Sequence, residues 1–203
     1  MIKNIVFDFG DIFIDLDKEA TLRALNELGM DEVSEEMLNV LHQFEKGVIT
    51  TSDFIAFFQD TMKLSAVDLT AAWNAILLSF PKYRLQFLKD LASSKNYRLF
   101  LLSNTNAIHI EWIQNDWGND LYQEFKNCFE KFYLSHEIHL RKPDAEIYEF
   151  VLRENNLKAT ETFFVDDTKE NTEAAKKIGI QTWNLIPGKE DVIDLLTKIE
   201  MNS

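Results

Sequence analysis

Short runs of hydrophobic residues alternate along the chain with longer stretches in which hydrophobic residues recur at helical spacing. The first run, Ile5-Val6-Phe7, ends at the charged residue Asp8 and predicts a buried strand over residues 4–8. Similar runs predict strands at 98–102, 132–134, 162–165 and 180–184. Because helical patterns separate these strands, we predict an α/β protein with a Rossmann-like, doubly wound parallel sheet.

A helical block follows the first strand. Between residues 17 and 79, leucine, methionine and phenylalanine recur every three or four positions, which indicates about four amphipathic helices. The block interrupts the alternation of strands and helices. We therefore predict two domains, a Rossmann-like core made of residues 1–16 and 80–203 and an inserted helical cap at residues 17–79.

Capping residues and periodicity locate the individual helices. Ser34, and either Ser52 or Asp53, are candidate N-caps inside the block. In the core, helical spacing predicts helices at 82–93, from about residue 106, and at 144–156, 169–178 and 189–200.

Charge and cysteine content exclude several classes of function. The chain of 203 residues has a net charge of −13 and a pI of about 4.7, which argues against binding to nucleic acid or to an anionic membrane surface. The one cysteine, Cys128, excludes an intramolecular disulfide and a zinc site built from several thiolates. With no apolar stretch that could span a bilayer, we expect a cytoplasmic protein, either monomeric or homodimeric.

Small polar or charged clusters follow the predicted strands or lie between them. They are Asp8-Phe9-Gly10, Ser103-Asn104, Arg141-Lys142-Pro143 and Asp166-Asp167. Taken singly, each cluster is typical of a turn or a helix cap. Because the carboxyl ends of parallel strands meet at one edge of a sheet, their joint occurrence indicates one shared site. Its three aspartates would repel one another unless a hard divalent cation lay between them, and an all-oxygen ligand set suits Mg²⁺ better than Zn²⁺.

The same clusters contain groups that suit a phosphate. We predict that Ser103 and Asn104 open a helix, so that backbone N–H groups and the Ser103 hydroxyl bind phosphate oxygens. Lys142 supplies positive charge, and Pro143 is expected to start the next helix. The carboxylate of Asp8 could attack an electrophile or bind a metal.

The order of these clusters resembles that of the haloacid dehalogenase superfamily, whose members are hydrolases with an aspartate nucleophile. The resemblance covers nearly the whole chain and is strongest toward bacterial phosphatases that act on α-D-glucose 1-phosphate. The matching segments are 7–13, 102–106, 133–143 and 163–171. The helical block is then similar to the small α-helical cap of that superfamily.

The resemblance implies a Mg²⁺-dependent phosphatase for a small phosphorylated metabolite. Asp8 would attack phosphorus and form an aspartyl-phosphate that water then hydrolyses. Ser103 and Asn104 would bind the phosphoryl group, and Lys142 would balance its charge. Asn171 would orient the metal ligands or Lys142. The implied Mg²⁺ ligands are Asp8, the carbonyl of Gly10, Asp166 and Asp167.

Gly10 stands where most phosphatases of this superfamily have a second aspartate that acts as a general acid. A general acid commonly contributes ~10²–10⁴-fold in rate, and most for poor leaving groups. We therefore expect the substrate to be a sugar 1-phosphate or a similarly activated ester. Asp11 is a weaker substitute because successive side chains diverge. His139, where relatives usually have glycine, could line the substrate entrance, although an exposed loop position is favoured.

In the cap, residues 44–49 resemble a loop that closes over the active site. Glu45 and His42 could bind sugar hydroxyls from this loop, or Glu45 could pair with a neighbouring charge and take no part in binding. Trp73 and Phe80 could stack on a sugar, but their helical spacing favours packing in the interior.

Two other functions remain open from the sequence. A 2-haloacid dehalogenase shares the aspartate nucleophile and lacks the second aspartate, but it needs no metal and has no use for the Asp166-Asp167 pair. A catalytically idle protein used for binding would explain Gly10 as decay of the active site.

Overall fold

The computed structural model describes residues 1–30 and 32–201. The strands are β1 (Asn4–Phe7), β2 (Arg98–Ser103), β3 (Lys131–Leu134), β4 (Thr162–Asp166) and β5 (Gln181–Asn184). Within the described residues they form one parallel sheet in the order β3-β2-β1-β4-β5. This confirms the predicted fold class.

Helices follow every strand. They are α1 (Ala20–Glu27), α2 (Glu35–Glu45), α3 (Thr51–Met62), α4 (Ala66–Asn74), α5 (Lys82–Ser94), α6 (Ala107–Trp117), α7 (Asn119–Lys126), α8 (Ser135–Ile138), α9 (Ala145–Glu154), α10 (Lys169–Lys177) and α11 (Leu195–Met201). Short 3₁₀ turns occupy Ala159–Glu161 and Val192–Asp194. Over the part of the chain described, none of the helices combines the length and the apolar character needed to cross a membrane.

Alternate residues of each central strand face opposite sides of the sheet. On β1, Ile5 and Phe7 belong to one hydrophobic cluster, whereas Val6 belongs to a different one. Strands β2 and β4 alternate between the same two clusters. Both faces of the sheet are therefore covered, as expected for a doubly wound fold.

The register of the sheet brings the ends of its central strands together. β1 lies between β2 and β4, with Phe7 aligned to Leu101 on one side and to Val165 on the other. Asp8 follows directly, and its backbone N–H donates to the carbonyl of Val165 at 2.9 Å. Asp8 therefore lies beside the ends of the two strands that finish at Ser103 and Asp166.

Helices α1 to α4 pack around a third cluster made almost entirely of their own side chains. Phe54 is fully buried there, with ring centroids 4.2 Å from Phe44 and 4.8 Å from Trp73. Phe80 stacks on Trp117 at 4.1 Å. Trp73 and Phe80 thus pack in the interior, as their spacing indicated. The separate cluster supports the proposed division into a cap at 17–79 and a core, which stays a prediction.

Some helix starts differ from the predicted ones. Ser34 caps α2, as predicted. Thr50, rather than Ser52 or Asp53, caps α3, because the Thr50 hydroxyl accepts the backbone N–H of Asp53 while the Asp53 carboxylate accepts that of Thr50. The final helix begins at Leu195, later than predicted, because a 3₁₀ turn precedes it.

Candidate active site

Three carboxylates meet at the C-terminal edge of the sheet. Asp8 follows β1, Asp166 ends β4, and Asp167 comes next in the chain. One oxygen from each of these side chains lies within 4.8 Å of the others. Asp166 is fully buried and Asp8 nearly so. The structure thus brings together the acid groups that the sequence assigned to one site, and their roles stay a prediction.

The ammonium group of Lys142 lies between two of these carboxylates. Its Nζ donates to Asp8 Oδ1 and to Asp166 Oδ2, at 2.7 Å in each case, and its side chain is 1% exposed. Burial acts to lower the pKa of Lys142, but the charges of Asp166 and Asp8 outweigh it and hold that pKa above its ordinary value. Lys142 is therefore charged at neutral pH.

Amide and backbone groups fix the orientation of Lys142 and Asp166. Asn171 on α10 donates from Nδ2 to both carboxylate oxygens of Asp166, at 3.0 and 3.1 Å, and the N–H of Thr168 donates to Asp166 Oδ1 at 2.8 Å. Asn104 donates from Nδ2 to the carbonyl of Lys142 and accepts the Lys142 N–H through Oδ1, both at 2.9 Å. Asn171 thus contacts a carboxylate, and Asn104 holds the backbone that carries the lysine.

A cavity of about 380 Å³ borders these groups, and we call it the phosphate cavity. Asp8, Gly10, Ser103 and Lys142 line it. The hydroxyl of Ser103 lies 3.5 Å from the carbonyl oxygen of Asn104, and a hydrogen bond of that length is weak. The Ser103 hydroxyl is therefore available to a ligand in this cavity.

The two helices near the phosphate cavity begin within one residue of the starts predicted from periodicity, about 106 and 144, but not at the residues expected to open them. α6 begins at Ala107 because the side chain of Asn106 caps it, so residues 103–104 do not open a helix. α9 begins at Ala145, and Pro143 therefore precedes this helix instead of starting it. Ser103 and Asn104 therefore lie at a strand end and in the loop after it, not in the first turn of a helix, and their binding of phosphate stays a prediction.

Lys18 borders the same cavity, and no sequence pattern pointed to it. Its ammonium group is hydrogen-bonded to Asp167 Oδ2 and lies 3.3 Å from Asp11 Oδ2. Asp11 has a positive φ of 55°, and its Oδ1 accepts the N–H of Leu16 at 3.0 Å. Asp11 is therefore engaged by a lysine and by the backbone, which disfavours it as a substitute general acid.

A smaller cavity of about 130 Å³ is lined by residues of the sheet edge and of the helical block, and we call it the inner cavity. Ser103 and Asn104 line both cavities, and Glu45 from the end of α2 lines the smaller one. Glu45 Oε2 accepts from Arg141 Nε at 3.1 Å and lies 3.0 Å from Arg141 Nη2. In residues 1–30 and 32–201, Oε1 of Glu45 accepts no hydrogen bond. Glu45 is thus paired with a charge, with one oxygen left for a ligand.

The two histidines considered from the sequence lie outside the cavities. Among the described residues that line either cavity, neither His42 nor His139 occurs. His42 is exposed on α2. His139 is also exposed, in keeping with the favoured loop position, and its Nδ1 donates to the carbonyl of Lys46 at 2.9 Å.

Comparison with known proteins identifies the family. Residues 5–185 match the profile of a family described as haloacid dehalogenase-like hydrolase. The chain belongs to this family. As a member, it is a hydrolase, in agreement with the resemblance seen in its sequence segments.

Relatives of this haloacid dehalogenase-like hydrolase include phosphatases. D-ribitol-5-phosphate phosphatase of Bacteroides thetaiotaomicron is 27% identical over 190 residues, which cover 90% of this chain and 91% of the relative. A HAD family enzyme of the same organism, crystallised with magnesium and inorganic phosphate, is 33% identical with a TM-score of 0.81, covering 94% of this chain and 97% of that one. A HAD-like family hydrolase of Porphyromonas gingivalis is 26% identical with a TM-score of 0.84, covering 98% of each chain.

Gly10 stands at the position where the resemblance implies a second aspartate in most phosphatases. A Cβ atom placed on Gly10 would lie 2.6 Å from Cδ1 of Leu16, well inside the distance at which carbon atoms pack. Leu16 therefore fills the space into which a side chain at position 10 would extend. The hydrolase has an apolar side chain in the direction where a general acid would be expected.

The side chains of this hydrolase suit Mg²⁺. Asp8, Asp166 and Asp167 offer oxygen atoms only, and Mg²⁺ binds through a few carboxylates while it keeps several waters. The phosphate cavity beside them has room for those waters, and Gly10 lines it close to Asp8. Two ammonium groups contact these carboxylates, which shows that the site attracts cations.

Mg²⁺ binding to this hydrolase should weaken as the pH falls below 7. Burial raises the pKa of Asp8 to about 7, although Lys142 acts against it, so Asp8 holds a proton below that pH and must release it to bind a metal. We expect the apparent Mg²⁺ affinity to fall by up to about tenfold per pH unit below 7. Titration calorimetry at pH 6, in buffers that differ in ionisation enthalpy, measures the proton released.

The variant Asp8→Asn is the control for this measurement. Its residue 8 carries no titrating proton, so metal binding should release less than in the wild-type protein. An affinity that stays constant from pH 5.5 to 8 in the wild-type protein would contradict the expected release.

Proposed function

We propose that this hydrolase is a Mg²⁺-dependent phosphatase that acts on a small phosphorylated metabolite through an aspartyl-phosphate on Asp8. The observation that carries the proposal is the meeting of Asp8 with the Asp166-Asp167 pair beside the buried Lys142. The magnesium and phosphate bound to the Bacteroides thetaiotaomicron enzyme support it.

The side chains that line the phosphate cavity suit this reaction. An oxygen of Asp8 attacks phosphorus, the bond from phosphorus to the ester oxygen breaks, and the leaving alcohol takes a proton from water. Ser103 donates its hydroxyl hydrogen to a phosphoryl oxygen, and the Asn104 N–H is the second proposed donor. Lys142 holds the Asp8 carboxylate in place and offsets the charge of the phosphoryl group.

Water then hydrolyses the aspartyl-phosphate, which releases inorganic phosphate and restores Asp8. Mg²⁺, held by Asp8, Asp166, Asp167 and the carbonyl of Gly10, would offset negative charge on the transferring phosphoryl group. Asn171 and Thr168 keep Asp166 in the orientation that this ligand set needs.

The competing functions explain fewer of the contacts. A metal-independent dehalogenase has no need for Asp166 and Asp167, yet Asp166 is fully buried and receives hydrogen bonds from Lys142, Thr168 and Asn171. An idle binding protein would not need a buried lysine held against Asp8. These contacts of Asp166 and Lys142 favour an enzyme that forms a phosphorylated intermediate.

We propose that the leaving group enters the inner cavity and that Glu45 binds its hydroxyls. Glu45 lines that cavity with one oxygen free of hydrogen bonds from the described residues, while Arg141 holds the other. Because Leu16 fills the space beside Gly10, protonation of the leaving group is weakly assisted, which favours an activated ester such as a sugar 1-phosphate. The similarity to a D-ribitol-5-phosphate phosphatase supports a phosphorylated sugar or polyol as the broader class of substrate.

A panel of phosphate esters tests the proposal through release of inorganic phosphate with Mg²⁺ and with EDTA. We expect p-nitrophenyl phosphate and α-D-glucose 1-phosphate to be hydrolysed faster than glucose 6-phosphate and ribitol 5-phosphate, because their leaving groups need less protonation. EDTA should stop every reaction. The variant Glu45→Gln should raise the KM for glucose 1-phosphate by more than that for p-nitrophenyl phosphate, which has no hydroxyls to bind.

The outcomes of the panel separate the two parts of the proposal. Faster turnover of glucose 6-phosphate or ribitol 5-phosphate than of glucose 1-phosphate contradicts the activated ester and leaves the phosphatase intact. Chloride release from 2-chloropropionate without Mg²⁺ would instead indicate a dehalogenase. No phosphate release from any ester would favour an idle binding protein.

A further inference from the structure

Lys18 places a second lysine ammonium group at the phosphate cavity, which Arg141 also lines. It follows the segment in which the chain crosses from the sheet to the helical block, where the backbone of Asp15 is hydrogen-bonded to residues 78–79. Its ammonium group contacts Asp167, and its side chain is 52% exposed. Lys142, by contrast, is buried beneath Asp8. The two lysines therefore supply positive charge at different depths of one cavity.

Asp167 cannot give the same oxygen fully to Lys18 and to a metal. Lys18 is hydrogen-bonded to Asp167 Oδ2, and Asp167 is one of the three carboxylates that converge at the site. A divalent cation bound to this carboxylate would repel the ammonium group, which contacts the same carboxylate through Oδ2. Lys18 and the metal therefore compete for Asp167.

Asp11 gives Lys18 a second anchor that does not depend on the metal. Asp11 Oδ2 lies 3.3 Å from the ammonium nitrogen, and Asp11 Oδ1 is held by the backbone N–H of Leu16. Its side chain is only 10% exposed, so its position is well defined. A lysine released from Asp167 would therefore stay at the cavity instead of moving into solvent.

We propose that Lys18 is a phosphate-binding residue that exchanges partners when the metal binds. In the metal-free protein it neutralises Asp167. Once Mg²⁺ occupies the carboxylates, Asp11 holds the ammonium at the cavity, where it contacts the phosphoryl oxygens of the ester. The phosphate contact rests on the proposed phosphatase function, whereas the competition for Asp167 does not.

Titration calorimetry on Lys18→Met, with no substrate present, tests both halves of the exchange. We expect Mg²⁺ to bind the variant several-fold more tightly than the wild-type protein, because Asp167 is no longer neutralised. We expect inorganic phosphate to bind the Mg²⁺-loaded variant about tenfold more weakly, because one charge-assisted contact is lost. Lys18→Arg keeps the charge and should retain most of the phosphate affinity.

Lys158→Met is the matched control, since it removes one exposed lysine outside both cavities and should change neither affinity. Wild-type phosphate affinity in Lys18→Met would overturn the phosphate contact, and wild-type Mg²⁺ affinity would overturn the exchange at Asp167. If Lys18→Met does not fold, Asp11→Asn serves instead and should weaken phosphate binding; an unchanged affinity there counts against the proposal. Failure of the phosphatase function would appear differently, as a wild-type protein that hydrolyses no ester.

Discussion

Replacing Asp8 by asparagine should reduce phosphate release by about 10⁴-fold or more, because a neutral amide cannot attack phosphorus and no aspartyl-phosphate forms. The change is nearly isosteric, and Lys142 keeps Asp166 as a partner, so the fold should be retained. The measurement compares initial rates with p-nitrophenyl phosphate, whose leaving group needs no acid. Labelled phosphate trapped on the protein after an acid quench should be found with the wild-type chain and not with the variant.

Asp60→Asn is the control for that experiment. Asp60 is exposed on α3, so the same chemical change there should leave the rate at the wild-type level. If Asp8→Asn kept a substantial fraction of the wild-type rate, or still accumulated labelled phosphate, Asp8 would not be the nucleophile.

Replacing Lys142 by methionine should lower the free energy of unfolding by about 3–5 kcal/mol in EDTA at neutral pH. The change leaves Asp8 and Asp166 buried next to each other without the ammonium that now bonds to both. Urea denaturation at pH 7 measures the loss. Lys82→Met, at an exposed position on α5, is the control and should cost little.

The pH dependence of that loss follows from the pKa of Asp8. In the wild-type protein this pKa is raised to about 7 even with Lys142 present, so stability falls as the pH rises toward 7 and then levels off. Without Lys142, the pKa of Asp8 rises further, and the variant keeps losing stability above pH 7. The difference between the two proteins should therefore widen from pH 6 to pH 8. A constant difference, or a variant as stable as the wild-type protein, would contradict this account.

The three central strands β1, β2 and β4 were predictable because each contains a short hydrophobic run that ends at a polar cluster. Once the sheet is parallel, its register alone puts Asp8 beside the ends of β2 and β4, so the convergence of the acid groups follows from the pattern. The helix starts near the cavities were harder to place. Several polar residues near each start could serve as the N-cap. Asn106, and not residues 103–104, caps α6, and Thr50, and not Ser52 or Asp53, caps α3.

The side-chain pairings at the site could not be predicted from spacing. Glu45 and Arg141 are 96 positions apart, and Lys18 and Asp167 are 149 apart. Such a pair becomes visible only when the helical block is docked on the sheet. The contact of Leu16 with the space beside Gly10 is local by comparison, but it depends on the turn between them, in which Asp11 has a positive φ of 55°.

The contact between Gly10 and Leu16 also bears on the evolutionary routes open to this enzyme. A Cβ atom at position 10 would meet Cδ1 of Leu16, the end of a flexible side chain rather than a fixed backbone atom. An aspartate there would therefore need Leu16 to adopt another rotamer, and no prior substitution of Leu16 is required. A gain of a proton donor at this position is thus within reach of one amino-acid replacement.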